Sequence, residues 1–173
     1  MEGLNFSLMT TQLSVEQIAQ EHDAMIKRIA SSYEANSHLA EELVQDIYLA
    51  IWRALPSFRG TSSMRTFVAR IATNRAVTHV ARAAKLPRSV ELSDHLHAPG
   101  DNPESHAIAY DRGARLTAAV RSLPLPYRQT AILTLEGLKP KEISDILGIT
   151  TNAVAIRLLR AKALLRRLIG DTP

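Results

Sequence analysis

Apolar residues recur at three- and four-residue steps through most of this chain, and proline or glycine interrupts the pattern before any run grows long. That period lays the apolar side chains along one stripe of a helix, so the chain must bury several short amphipathic helices against one another. Behind Ser14, the positions Val15, Ile18, Ala19, His22, Ile26, Ile29 and Tyr33 draw one such stripe. Ser14 and Gln17 stand at the spacing of a capping box, which predicts a helix from about residue 15 to 34. Leu39, Leu43, Ile47, Ala50, Ile51 and Ala54 draw a second stripe, opened near Asn36 or Ser37 and stopped by Pro56. Its other face carries Glu41, Glu42, Gln45 and Asp46. After a polar loop from Pro56 to Ser63, a third helix of about twenty residues is predicted from near Met64, with Phe67, Val68 and Ile71 as its apolar contacts.

The 173 residues are 46% hydrophobic but only 5% aromatic, which favours helices packed by aliphatic side chains over a β-sandwich. The expected fold is all-α, with two small helical domains over residues 1–86 and 106–173. Between them, residues 87–105 hold Pro87, Pro99, Gly100 and Pro103 among scattered acids and no sustained apolar period, the composition of a flexible linker. In the second domain Ile108, Leu116, Ala119, Val120 and Leu123 predict an opening helix broken by Pro124 and Pro126, and Tyr127 to Glu136 predict another ended at Gly137. Ile143, Ile146 and Leu147 then form the inner edge of a short helix, Gly148 supplies a positive-φ corner, and Thr150 or Thr151 can cap the helix that follows. This is a helix-turn-helix layout. In its long last helix Val154, Leu158, Ala161, Leu165 and Leu168 share one face. Asn152, Ile156, Arg160 and Arg167 point roughly the opposite way with Arg157 flanking, which reads as a basic, DNA-reading surface with polar groups at its N-terminal end.

Charge is distributed in blocks. From Ser14 to Ala50 two basic residues stand against seven acidic ones, whereas Ile51 to Leu86 holds seven basic residues and no acid. The second block is the footprint of a surface that contacts phosphate. The chain has no cysteine, which excludes disulfides, thiolate-bound metals and thiol catalysis. No apolar run approaches the ~18 residues that a bilayer span requires, and the first residues lack the basic and apolar regions of a secretory signal. A soluble cytoplasmic protein with no membrane insertion is expected.

Two stretches carry a resemblance. "AEELVQDIYLAIWRALPSFRGTSSMRTFVARIATNRAVTHVAR" resembles the promoter-melting domain of bacterial sigma factors of the extracytoplasmic-function group. "LPLPYRQTAILTLEGLKPKEISDILGITTNAVAIRLLRAKALL" is similar to the same group's upstream-element-binding domain. The resemblance covers about residues 15 to 84 and 107 to 168, in the family's order. It implies an alternative sigma factor that binds core RNA polymerase and directs promoter recognition, melting and initiation. Glu41, Glu42, Gln45 and Asp46 would then dock on the clamp helices of the large polymerase subunit. Phe58, Arg59, Ser62, Ser63, Arg65, Asn74, Arg75 and Arg82 would handle the single-stranded −10 element, with Phe58 as a stacking group and a flipped base held near Asn74. Thr151, Asn152, Ala153, Ile156, Arg157, Arg160 and Arg167 would read the −35 element, and an anti-sigma factor, often membrane-tethered in this family, would be the inhibitory partner. The chain departs from the family at Ala155 and Ile156, where a Lys-Ser pair is usual, at Lys139-Pro140-Lys141, and at Leu39, where many relatives carry an acid.

No catalytic residue and no cofactor are called for. There is no phosphate-binding glycine loop and no nucleophile-base motif, and His95 and His97 with Asp94 have metal-like spacing only inside the acidic linker. Two other readings stand beside the sigma factor: a sigma-like decoy that binds an anti-sigma factor without recognising promoters, and a free-standing helix-turn-helix regulator. A decoy has no use for the basic surface of the third helix, and a repressor would need a dimerisation element that the sequence does not display.

Overall fold

The computed structural model describes residues 14–85 and 105–170. Its elements are α1 (Val15–Ser31), α2 (Ser37–Ala54), a short 3-10 turn (Leu55–Ser57), α3 (Met64–Ala83), α4 (Ser105–Ser122), α5 (Leu125–Leu135), α6 (Pro140–Leu147) and α7 (Thr151–Gly170), with no strand among the described residues. The linker over 87–105 lies outside the described residues, except that Ser105 already begins α4. Its His95, His97 and Asp94 lie outside them too, and no cluster of possible metal ligands occurs among the described residues.

Helices α1, α2 and α3 form one three-helix unit. Ser14 and Gln17 complete the predicted capping box, the serine hydroxyl accepting from Gln17 N–H at 3.3 Å while Gln17 Oε1 accepts from Ser14 N–H at 3.0 Å. α1 stops at Ser31 rather than near residue 34. The hydroxyls of Ser31 and Ser32 donate back to the carbonyls of Lys27 and Arg28, the local competition by which serine ends a helix. Ile26, Ile29, Ile47, Ile51 and Val68 are sealed from solvent. From α3 the core takes Thr66, Ala69, Ala72, Thr73 and Ala76, while the expected Phe67 and Ile71 are only partly buried. Small side chains let α3 approach the other two helices closely, and a stripe made of alanine and threonine carries little apolar contrast in a sequence. Leu39, placed on the α2 stripe, is 40% exposed because it sits in the helix's first turn, beyond the reach of α1 and α3.

Helices α4 to α7 form the second unit. Pro126 does not break a helix; it lies in the first turn of α5, where its missing N–H costs nothing. Gly148 adopts φ 65° between α6 and α7, closing the helix-turn-helix with its N–H on the Ser144 carbonyl. Thr150 Oγ1 accepts from Ala153 N–H at 3.1 Å and so caps α7. Val154 and Ala161 are buried, and Leu158 and Leu165 half-buried. Leu168 is 49% exposed, against expectation, because α7 runs past the last helix that could cover it.

The two units are docked together. A single buried cluster runs from Ile18, Ile26 and Ile47 through Val68 to Leu138, Ile143 and Val154. Polar contacts frame it: Arg121 donates twice to the Ser31 carbonyl at 3.0 and 2.7 Å, and the Arg128 guanidinium lies 5.5 Å from the centre of the Tyr33 ring. Arg121 thus satisfies a carbonyl at the C-terminal end of α1 that has no partner within its own helix. Burial pushes the Tyr33 phenol well above its ordinary range.

Candidate nucleic-acid interface

Three surfaces gather the residues singled out in the sequence. On α2, Glu41, Glu42 and Gln45 are exposed in successive turns. Asp46 departs from them: it is half-buried, with Oδ2 3.7 Å from Arg75 Nη1 of α3. One edge of the acidic face is therefore joined to the basic face of α3 rather than separate from it. Glu42, Asp46, Arg75, Thr78, His79 and Arg82 line a cavity of about 180 Å³ between the two helices. His79 Nε2 lies 2.7 Å from Glu34 Oε2, which ties the far half of α3 to the end of α1.

The sequence reading passed over two neighbours of the acidic row. Leu49 is 42% exposed and Trp52 61% exposed, one and two turns beyond Gln45 on the same side of α2. A single tryptophan in the chain, off the apolar stripe, was the available signal. Large apolar groups among exposed acids have the composition of an interface core with a charged rim.

The second surface is the loop ahead of α3 and the outer side of that helix. Ser63 caps α3, its hydroxyl accepting from Thr66 N–H at 3.1 Å, so its side chain is occupied structurally. Phe58 is half-buried with its ring centre 4.8 Å from that of Phe67, a contact that props the loop. Ser62 is half-buried, Gly60 turns the loop at φ 71°, and Arg59, Arg65, Asn74 and Arg82 are exposed. Arg59, Asn74 and Arg82 present exposed donors, whereas Arg65 and Thr66 face the second unit. Arg65 donates to the Glu136 carbonyl, and Thr66 Oγ1 donates to Glu142 Oε1 at 2.7 Å. Glu142 also accepts from Lys139 N–H at 2.7 Å. That backbone bond first, and the Thr66 hydroxyl next, hold its carboxyl below the usual glutamate range.

The third surface is α7. Thr151, Asn152, Ile156, Arg160 and Arg167 are exposed, and Ala153 and Arg157 half-buried. Ala153, Ile156, Arg157 and Arg160 line a shallow cavity of about 520 Å³ whose opposite wall is Pro124, Pro126 and Tyr127. Arg160 Nη1 donates to the Tyr127 hydroxyl at 3.3 Å, which presets the guanidinium beside the cavity. Arg167 sits two turns further on and is not part of this group. A polar helix start, an apolar patch at Ile156 and two guanidiniums together suit base edges, a thymine methyl and backbone phosphates.

Comparison with known proteins places both units in one family. The family model described as Sigma-70 region 2 matches residues 18–86, and the one described as Sigma-70, region 4 matches residues 113–165, together well over half of the chain. The ECF RNA polymerase sigma factor SigE of Mycolicibacterium smegmatis is 28% identical over 156 residues, 88% of this chain and 60% of that protein. The RNA polymerase sigma factor NccH of Alcaligenes xylosoxydans is 29% identical over 170 residues, 93% of this chain and 89% of the relative. Among solved structures, the sigma factor RpoE of Bartonella quintana, crystallised with the anti-sigma factor NepR, shares the fold at a TM-score of 0.69 and 19% identity, over 91% of this chain and 99% of that one.

Proposed function

The chain belongs to the sigma-70 family, in its extracytoplasmic-function group, and on that premise we propose that it binds core RNA polymerase and directs initiation at a discrete set of promoters. The observation that carries the proposal is the placement of three differently charged, exposed surfaces on one small molecule: an acidic row on α2, a cationic side on α3, and a helix-turn-helix whose second helix leaves Asn152, Ile156 and Arg160 uncovered. Glu41, Glu42 and Gln45, with Leu49 and Trp52 as apolar anchors, form the polymerase-docking face. Arg59, Asn74, Arg75 and Arg82 follow the melted −10 strand, and Thr151, Asn152, Ile156, Arg157 and Arg160 read the −35 duplex. Strand opening needs no hydrolysis in this scheme, because capture of extruded bases offsets an unstacking cost of a few kcal/mol. The activity thus requires no catalytic residue, and the protein works at the nucleoid in the cytoplasm.

An inhibitory protein partner completes the proposal, since a relative of the same fold was crystallised with an anti-sigma factor. Among the described residues no helix is long and apolar enough to cross a membrane. Run-off transcription with purified core enzyme and genomic promoter fragments tests the function. Discrete starts that depend on the chain are expected; a protein that forms no complex with core would end the proposal.

A further inference from the structure

A buried acid at the end of α5 is out of place by local rules. Glu136 follows the last residue of that helix, where the helix dipole disfavours an anion, yet it is 4% exposed. Its carboxylate is held from 108 positions away: Arg28 of α1 donates from Nε and from Nη2, both at 2.7 Å. Arg65 takes the carbonyl of the same residue, and Thr66, in the first turn of α3, gives its hydroxyl to Glu142. Two guanidiniums and one hydroxyl on the first unit thus each meet an oxygen of the second. Carboxylate and phosphate present the same paired oxygens to a guanidinium fork.

We infer that Arg28, Arg65 and Thr66 form a phosphate-binding surface for the melted promoter strand, and that Glu136 and Glu142 occupy it in this docked arrangement in place of phosphate. The inference rests on the promoter reading above and adds Arg28 as a strand contact and the acid pair as its internal competitor. The surroundings suit an exchange. The segment from Ile51 to Leu86 supplies seven cations and no acid, so Arg65, once released from the second unit, stays on a strongly positive stretch of chain. Arg28 keeps 58% of its side chain exposed while Glu136 keeps 3%, so an incoming strand can reach the cation before the acid has left. Polar contacts rim the apolar cluster that joins the units, and these ion-pair and carbonyl contacts are the part for which an anion competes. Strand and second unit therefore exclude one another, and the chain alone holds single-stranded DNA weakly until the units part.

The absence of native cysteine allows the full-length chain to be labelled at S57C and K162C, both exposed positions on different units, for energy transfer. The probe is a short mixed-sequence single-stranded DNA followed by fluorescence anisotropy. The E136Q/E142Q variant should lower transfer and tighten strand binding roughly five- to tenfold, the gain expected when an open form passes from minor to major population. R28Q should also lower transfer but weaken strand binding, since it removes a phosphate contact along with the lock. A charge-matched control, D111N/D145N, should change neither. Opening without tighter binding, an equal gain in the control, or R28Q binding as well as E136Q/E142Q would each overturn the inference. Should the double variant unfold, E142Q alone with R28Q decides by the same readouts. Co-elution of the wild-type chain with core polymerase is measured beside them, and its failure counts against the sigma-factor reading, whatever the strand measurements give.

Discussion

At the residue scale, the carboxylates show how one chemical group takes different work from its surroundings. Glu41 and Glu42 stand in water, Glu136 is sealed by a guanidinium fork, and Glu142 is held by a backbone N–H and a hydroxyl. Because the folded pKa of Glu142 lies below its unfolded value, its contribution to stability is complete above the unfolded value and is lost as pH falls through the folded one. The wild type should therefore lose stability on acidification below the ordinary glutamate range, and E142Q should flatten that limb. Urea midpoints measured from neutral pH downward check this; identical acid limbs would show that the bonds to Lys139 and Thr66 carry no stability. Asp23 behaves in the same sense, lowered by Lys27 first, while burial and the Asp23 bond push the Tyr48 phenol up to about 12.

At the element scale, the helix-turn-helix depends on one backbone conformation and one presented face. Gly148 sits at φ 65°, and a Cβ there would meet nothing within 4 Å. The cost of Gly148→Ala is therefore backbone strain alone, ~1–2 kcal/mol, with helix content retained. Chemical denaturation read by circular dichroism measures it, and Gly148→Asn should fall between the two because asparagine tolerates the left-handed region. On α7, Arg160 is preset by Tyr127 beside Ile156 and Arg157. Arg160→Ala should cost ~1–3 kcal/mol in duplex recognition and relax base preference at one −35 position, if its fork takes a guanine. Electrophoretic competition with single-base variants of the upstream element tests this; uniform weakening across all variants would instead identify a phosphate contact.

For the whole molecule, the docked units predict cooperative unfolding. One buried apolar cluster spans both, and Arg28, Arg121 and Arg128 tie α1 to α4 and α5. Calorimetry of the full chain should give a single transition whose calorimetric and van't Hoff enthalpies agree. Two resolved transitions would mean that the contact between units adds little. The same docking limits function, since Arg65 and the first turn of α3 face the second unit while the outer side of α7 remains free. Under the proposed roles, this arrangement leaves the duplex-reading face open and covers part of the face assigned to the melted strand.

The helices, their caps, the glycine corner and the exposed rows on α2 and α7 were legible in the sequence because each rests on periodicity or on a capping residue within a few positions. Ser14 with Gln17, Asn36, Ser63, Gly148 and Thr150 all act where local rules place them. The alanine and threonine stripe of α3 was not legible, since small residues carry little apolar contrast, and nothing local announces the contact of Phe58 with Phe67. The docking of the two units was decided by tertiary structure alone. It depends on single residues far apart in the chain, Arg28 with Glu136 and Thr66 with Glu142, whose side chains have no periodic signature and meet only after both units have folded. A carboxylate placed against its own helix dipole was the one trace of that contact in the sequence, and it acquires a reason only when the guanidinium of α1 is brought across to it.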